Sequence, residues 1–276
     1  MRFCRHVPGL PLNRHVAWFW YYDEWQVHHA REHVLPDGGC EFIVNLEERP
    51  RKLFDREKTD QYQSFRRSWL SGAQSGYLVI DVLSGSSMIG AHFHPGGMAA
   101  FFSPSAGELA DRVAEADGIW GADACGMRER LLDAPNPAAK FRELETFLLA
   151  KSNQRRRNAV SERRMDWALR QFMRAPDVVR IAAVADEVGL SRRHFIDEFR
   201  RRVGVTPKLF CRIRRFQQVL ADVNSRGEVE WADVAVACGY YDQAHFINDF
   251  RNFSGLNPTA YLRCRTDYPN FARADD

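Results

Sequence analysis

His194-Phe195-Ile196-Asp197-Glu198-Phe199-Arg200 is respelled 51 residues later as His245-Phe246-Ile247-Asn248-Asp249-Phe250-Arg251, and Gly204 and Pro207 face Gly255 and Pro258 at the same offset. Seven of the fourteen positions from 194 to 207 are identical to their counterparts. Self-similarity of this kind marks a duplicated structural unit. Upstream, Ala182–Gly189 matches Ala232–Gly239 at an offset of 50. Each copy spells a short Ala/Val-rich helix that ends at a glycine, the residue that tolerates a left-handed helix exit. A cap follows, Ser191 or Asp242, and opens a second helix. Phe195/Phe199 and Phe246/Phe250 stand four residues apart, so both rings of each helix face one core. The unit closes on Thr206-Pro207 or Asn257-Pro258, a cap followed by proline at the first helical position. Helix, short turn, helix is the geometry that puts a second helix into a DNA major groove.

Between the copies, Leu209, Ile213, Phe216, Leu220 and Val223 form one apolar stripe, which predicts a helix from Pro207 to about Asn224. Such a rod spans roughly 27 Å at the α-helical rise. Successive major grooves on one face of B-DNA are about 34 Å apart, so the rod suits two reading helices in adjacent grooves.

Charge divides the chain in the same sense. Residues 1–150 hold 16 Lys and Arg against 20 Asp and Glu, while residues 151–276 hold 23 against 16, and 21 of those 23 cations are arginine. Arginine's planar fork matches phosphate and guanine edges. The length of 276 residues suits two domains. No apolar run approaches a membrane span, and Met1–His6 lacks a secretion signal's apolar core. The six cysteines are scattered without a C-x-x-C pair, which suits a reducing cytoplasm and excludes a zinc ribbon.

The first hundred residues read as short strands. Val16, Trp18, Trp20 and Tyr22 alternate with their neighbours, as do Phe42, Val44 and Leu46, and 78–83 and 88–93 are further apolar runs. Pro36-Asp37-Gly38-Gly39, Ser84–Ser87 and Pro95-Gly96-Gly97 are turn signals between them. The pattern predicts a β-sandwich or barrel, with a polar hairpin or loop over 49–68. Ser105–Glu108 has capping-box spacing and predicts a helix start. Further helices are expected over 127–132 and 138–150, then a polar linker. The expected division is 1–150, a linker at 151–160, and 161–265.

The motifs VGLSRRHFIDEFRRRVGVTP (188–207) and ACGYYDQAHFINDFRNFSGLNPTAY (237–261) resemble the AraC/XylS type of bacterial transcription regulator over about 160–262. The resemblance implies seven helices in two helix-turn-helix subdomains joined by a linker helix. Residues 34–46, 89–102 and 108–113 resemble an uncharacterised sensor domain carried by some members, which implies a cupin-like β-barrel for a small effector. The expected fold class is therefore α+β in two domains: a mainly-β cupin-like barrel or sandwich with trailing helices, then an all-α tandem helix-turn-helix.

On the first reading helix, Arg192, Arg193 and Asp197 are base-reading candidates, since Arg forks onto guanine and Asp accepts from cytosine. On the second, Gln243, Ala244, His245 and Asn248 are candidates, with Gln and Asn suited to adenine and Ala to a thymine methyl. Ser191, His194, Arg200, Arg201, Arg212, Arg215 and Arg251 are phosphate candidates; Arg214 shares the linker helix with two of them. Packing is the alternative for His194 and His245, which occupy equivalent places, and simple exposure is the alternative for each arginine.

In the first half, His92 and His94 share one side of a strand, with His28, His29 and His33 upstream. A metal-dependent cupin-like enzyme fused to a DNA-binding tail is the competing reading, but structural histidines are commoner, so no metal, cofactor or catalytic residue is assigned. Trp18, Trp20, Trp25, Tyr21 and Tyr22 are read as core, with a lined cavity as the alternative. Asp37 and Glu41 flank a turn and could line a pocket. The expected function is sequence-specific regulation of transcription through double-stranded promoter DNA. A small effector, RNA polymerase and a second copy of the chain are the other candidate partners.

Overall fold

The computed structural model describes residues 2–102, 105–152, 159–225 and 229–274. Its N-terminal part is two antiparallel sheets. The strands are β1 (Arg2–His6), β2 (Val16–Trp25), β3 (Arg31–Val34), β4 (Cys40–Asn45), β5 (Arg51–Phe54), β6 (Tyr62–Phe65), β7 (Ser68–Ser71), β8 (Leu78–Asp81), β9 (Ser86–Phe93) and β10 (Val113–Glu115). One sheet runs β1-β2-β9-β4-β7-β10; the other runs β3-β8-β5-β6 and is extended at the β3 edge by β11 (Phe271–Arg273), from the far end of the chain. Helices α1 (Asp117–Trp120), α2 (Ala122–Asp133) and α3 (Pro137–Ser152) follow the strands.

Strand alternation gives the six-stranded sheet two unlike faces. Phe19, Tyr21, Phe42, Val44, Leu70, Ile89, Ala91 and Phe93 share a core with Met127, Leu131, Phe141, Leu144, Phe147 and Leu148 of α2 and α3. The alternate residues Trp18, Trp20, Tyr22, Glu41, Ile43, Trp69, Met88 and His92 face the other sheet. That side is hollow. Gly90 is required there: a Cβ would sit 2.4 Å from the Trp20 indole.

The predicted sandwich and the 49–68 hairpin are present, the latter as β5 and β6. The helix expected at Ser105 is not. Glu108 does accept from the Ser105 amide, 2.9 Å, but the segment is a turn that leads into β10. No apolar helical repeat follows the box, so its reciprocal bond closes a single turn. Within the expected linker, residues 153–158 lie outside the described residues, and its flanks belong to α3 and α4.

Among the described residues, seven helices form the C-terminal part: α4 (Ala159–Arg174), α5 (Ile181–Glu187), α6 (Arg192–Val203), α7 (Pro207–Ser225), α8 (Trp231–Ala237), α9 (Gln243–Ser254) and α10 (Pro258–Cys264). The rod α7 has 19 residues, about 28 Å at the helical rise. Its buried side chains Phe210, Ile213, Phe216, Val219, Leu220 and Val223 serve both units.

The two parts are packed together through the Pro36–Gly39 turn. Gly38, at φ +86°, lets the turn approach so closely that a Cβ would lie 2.7 Å from the Phe210 ring of α7. From α7, Gln217 donates to the Pro36 carbonyl (2.8 Å) and Arg214 to the Asp37 carbonyl (3.3 Å). At the second unit, His33 donates to the Ser254 carbonyl, 2.8 Å.

Candidate nucleic-acid interface and ligand cavity

Both reading helices begin as the sequence predicts. The Ser191 hydroxyl accepts from the His194 amide at 3.3 Å, and the Asp242 carboxylate from the His245 amide at 2.6 Å. Gly189 and Gly239, at φ +69° and +73°, make the tight exits before them. Phe195 and Phe199 are buried with ring centroids 6.0 Å apart, and Phe246 and Phe250 with theirs at 5.8 Å. Thr206 and Asn257 cap the next helices, accepting from Leu209 and Ala260. These aromatic anchors fix which face of each helix is left to solvent.

On α6 the outward face carries Arg192, Arg193, His194, Asp197, Arg200 and Arg201, all exposed. Arg201 is ion-paired with Glu198. On α9, Gln243, Ala244, Asn248 and Arg251 are exposed. His245 is only half-exposed: its ring packs edge-on against Tyr240 at 5.4 Å, with Nε2 3.8 Å from Asp249. Ser191 holds its helix start with its hydroxyl.

The linker-helix arginines depart from the expected arrangement. Arg212 forks onto the buried Asp249 carboxylate, Nη2 to Oδ1 at 2.6 Å, and lies over the Phe253 ring. Arg215 donates to the Gly239 carbonyl at 3.1 Å and covers Tyr240. Arg214 serves the Asp37 turn. Each is drawn inward by an acceptor from elsewhere in the fold, so these three arginines of α7 brace the structure, while Lys208 at the start of the helix is exposed.

The hollow between the sheets has a volume of about 490 Å³, within the range of small-molecule sites. Trp18, Trp20, Tyr22 and Trp25 line it, so of the five aromatics read as core only Tyr21 is packed in the helix-covered core. Rings form a ladder from Trp20 to Tyr22 (5.8 Å) to Trp25 (4.9 Å). Its polar end is built around His92, whose Nδ1 is 2.6 Å from Glu41 and whose Nε2 is 3.2 Å from Asp37. Glu41 also accepts from the Trp20 indole at 3.0 Å. Trp18 stacks on the His92 ring at 4.1 Å, and the Arg5 guanidinium lies over the Trp18 ring at 4.1 Å. Burial opposes protonation of His92, but the two carboxylates outweigh it and push its pKa up to about 9. With a carboxylate against each nitrogen, this imidazole holds protons rather than offering a lone pair to a metal.

His94 is not drawn into that cluster, His29 pairs with Glu32, and His33 faces Tyr77. Among the described residues no three His, Cys, Asp or Glu side chains are grouped as metal ligands. Asp37, by contrast, has a larger part than a turn residue: its side chain faces the hollow while its carbonyl holds α7. Also unforeseen were Tyr268–Phe271, which complete the cavity wall. Nothing local in an Arg/Asp-flanked Tyr-Pro-Asn-Phe segment signals that role.

A tandem of capped, aromatic-anchored helix-turn-helix units thus stands beside a hollow β domain. Residues 184–263 match a helix-turn-helix domain model and residues 4–115 a domain of unknown function, DUF6597, and the chain carries an AraC-type helix-turn-helix domain at its C-terminal end. An uncharacterized HTH-type transcriptional regulator of Haemophilus influenzae is 28% identical over 106 residues, 38% of this chain and 35% of that protein. The match thus spans about a third of the length of that relative. Among solved structures, ToxT from Vibrio cholerae is 11% identical, with 95% of this chain and 98% of that one covered at a TM-score of 0.47. The C-terminal domain of AraT from Geobacillus stearothermophilus is 19% identical, covering 41% and 93%, at 0.34. No described helix is long and apolar enough to cross a membrane.

Proposed function

We propose that the protein is a cytoplasmic, sequence-specific transcription regulator, and not an enzyme. Residues 161–265 read double-stranded DNA and residues 1–150 bind a small effector. The observation that carries the reading is the repetition of one capped helix, with polar side chains exposed opposite its buried phenylalanines, at both ends of a 19-residue strut. Arg192, Arg193 and Asp197 contact bases in one groove, and Gln243, Ala244, His245 and Asn248 in the next, His245 by its half-exposed edge. His194, Arg200, Arg201 and Arg251 hold phosphates, with Ser191 adding its backbone at the helix start. Arg212 and Arg215 support the second unit and reach phosphate only at the rim of their internal contacts. A homodimer and RNA polymerase are the natural further partners of such a regulator.

Selection from a random DNA pool with the full chain tests this. The expected result is a bipartite site with two half-sites about one helical turn apart and affinity that falls steeply with salt. Binding indifferent to both sequence and salt would overturn the reading.

A further inference from the structure

The sides of the hollow are the inner faces of two sheets, but one wall is Tyr268–Phe271, the segment that runs on from the last helix of the second unit. Several contacts fix it. Phe271 pairs with Val34 and Arg273 with Glu32 in the β11–β3 ladder. The Leu35 amide donates to the Asn270 carbonyl at 2.8 Å. The Tyr268 ring lies 5.2 Å from Trp25 and 5.4 Å from Phe3, so it adds a fourth rung to the Trp20–Tyr22–Trp25 ladder.

The polar end of the hollow is rich in acceptors. The Asn270 amide nitrogen is 3.4 Å from Asp37 Oδ2, which fixes its orientation, because the reverse would set its oxygen against a carboxylate. Its Oδ1 is then buried with no hydrogen-bond partner among the described residues. An ionised carboxylate accepts at about four sites; among the described residues the Glu41 side chain engages only Trp20 and His92. A buried acceptor without a donor is costly, so it marks the place of a missing partner. That partner must donate, and the body attached to it must be apolar and flat to lie along the rings.

We infer that the hollow binds a flat aromatic molecule carrying a hydroxyl or amine donor, and that residues 266–274 relay its occupancy to the second helix-turn-helix unit. The donor meets Asn270, Asp37 and Glu41, and the ring lies along Trp20, Tyr22 and Trp25. The inference rests on the effector reading proposed above. A molecule in this position touches Tyr268 and Asn270 only while the segment is docked, so it binds the docked state more tightly. That difference in affinity is what shifts an equilibrium, and the segment's continuity with α10 conveys the shift to the second unit.

The test uses the full chain with two probes of the same ring, 2-naphthol and naphthalene-2-carboxylate. Expected are quenching of tryptophan fluorescence and a raised Tm with 2-naphthol, and binding at least ten-fold weaker with the carboxylate. Equal or tighter binding of the carboxylate, or binding of neither, overturns the ligand class. Asn270→Leu should weaken 2-naphthol about ten-fold; unchanged affinity would also count against the site. For the relay, saturating 2-naphthol should slow amide hydrogen exchange in α9 and α10. Tyr268→Ala, with Phe271→Ala as a second variant should the first fail to fold, should abolish that slowing while exchange in α5 and α6 stays as it was. Slowing that survives in the variant overturns the relay. Sequence-specific DNA binding by the unliganded chain is measured alongside: its loss sinks the regulator reading alone, so the two failures are told apart.

Discussion

The two helix-turn-helix units have the same caps, glycines and phenylalanine pairs, yet they are held in the molecule differently. Phe195, Phe199 and Phe210 of the first unit belong to one apolar cluster with Phe102 and Leu109 of the β domain. Gly204 completes the weld, since a Cβ there would press on Ala73 at 3.0 Å. The second unit builds its own cluster from Phe216, Phe246, Phe250, Phe253 and Tyr261, and meets the β domain through Leu35, Tyr77 and the terminal strand. Their outward faces differ too: α6 presents Arg192, Arg193, Arg200 and Arg201, whereas α9 presents Gln243, Asn248 and Arg251. One unit is fused and strongly basic; the other is docked and more neutral. A duplication can therefore preserve local folding signals while packing assigns its copies to separate tasks.

Core truncation gives the largest effect expected from this contrast. Phe199→Ala and Phe250→Ala should each cost about 3–5 kcal/mol. The first should lower the stability of the β domain as well, and the second should free mainly α8–α10. Hydrogen exchange resolved by segment separates these outcomes; global unfolding in both variants would erase the distinction between a weld and a dock. Next, Arg212→Met leaves Asp249 buried without its partner and should destabilise the second unit by about 2 kcal/mol, less than for a fully buried pair because Arg212 remains part-exposed. Denaturant midpoints measure it.

On DNA, Arg193→Ala should cost about 1–3 kcal/mol and relax the preference at one position, with Asn248→Ala giving a smaller loss in the other half-site. Competition binding with single-base variants compares them, and a larger loss at Asn248 would reverse the ranking of the units. The smallest effect concerns the cavity. His92 gains its proton-holding carboxylates on folding, so its pKa is higher in the folded chain, about 9 against an ordinary 6.5. Its contribution is complete below pH 6.5 and is lost as pH rises through 9. Moving from pH 8 to pH 10 should therefore remove about 1 kcal/mol, and Tm profiles of the protein and of His92→Gln should converge over that window.

The duplicated units were legible because their signals are local. Caps, exit glycines and i,i+4 phenylalanines act within a dozen residues, and the repetition makes each copy a check on the other. The hollow was not legible. Trp18, Trp20 and Tyr22 alternate as core residues do, and whether their face meets a packed layer or a space depends on the opposite sheet and on Tyr268–Phe271, some 250 residues away. Arg212 and Arg215 illustrate the same limit at shorter range. Their acceptors, Asp249 and the Gly239 carbonyl, come within reach only when α9 and its preceding turn pack on α7. The strand at Ser68–Ser71 was hidden for another reason: Arg66 and Arg67 make its surroundings read as a polar loop, although Trp69 and Leu70 are buried on opposite faces of the sheet.

The position of β11 bears on how the polypeptide is made. Residues 271–273 are synthesised after both reading units, yet they cover the margin of a sheet whose other strands are complete by residue 81. While the ribosome is still at work, Arg31–Val34 offers a bare row of amides and carbonyls, the kind of template on which nascent chains stick to one another. A strand made after both helical units is thus the one that ends this vulnerable interval.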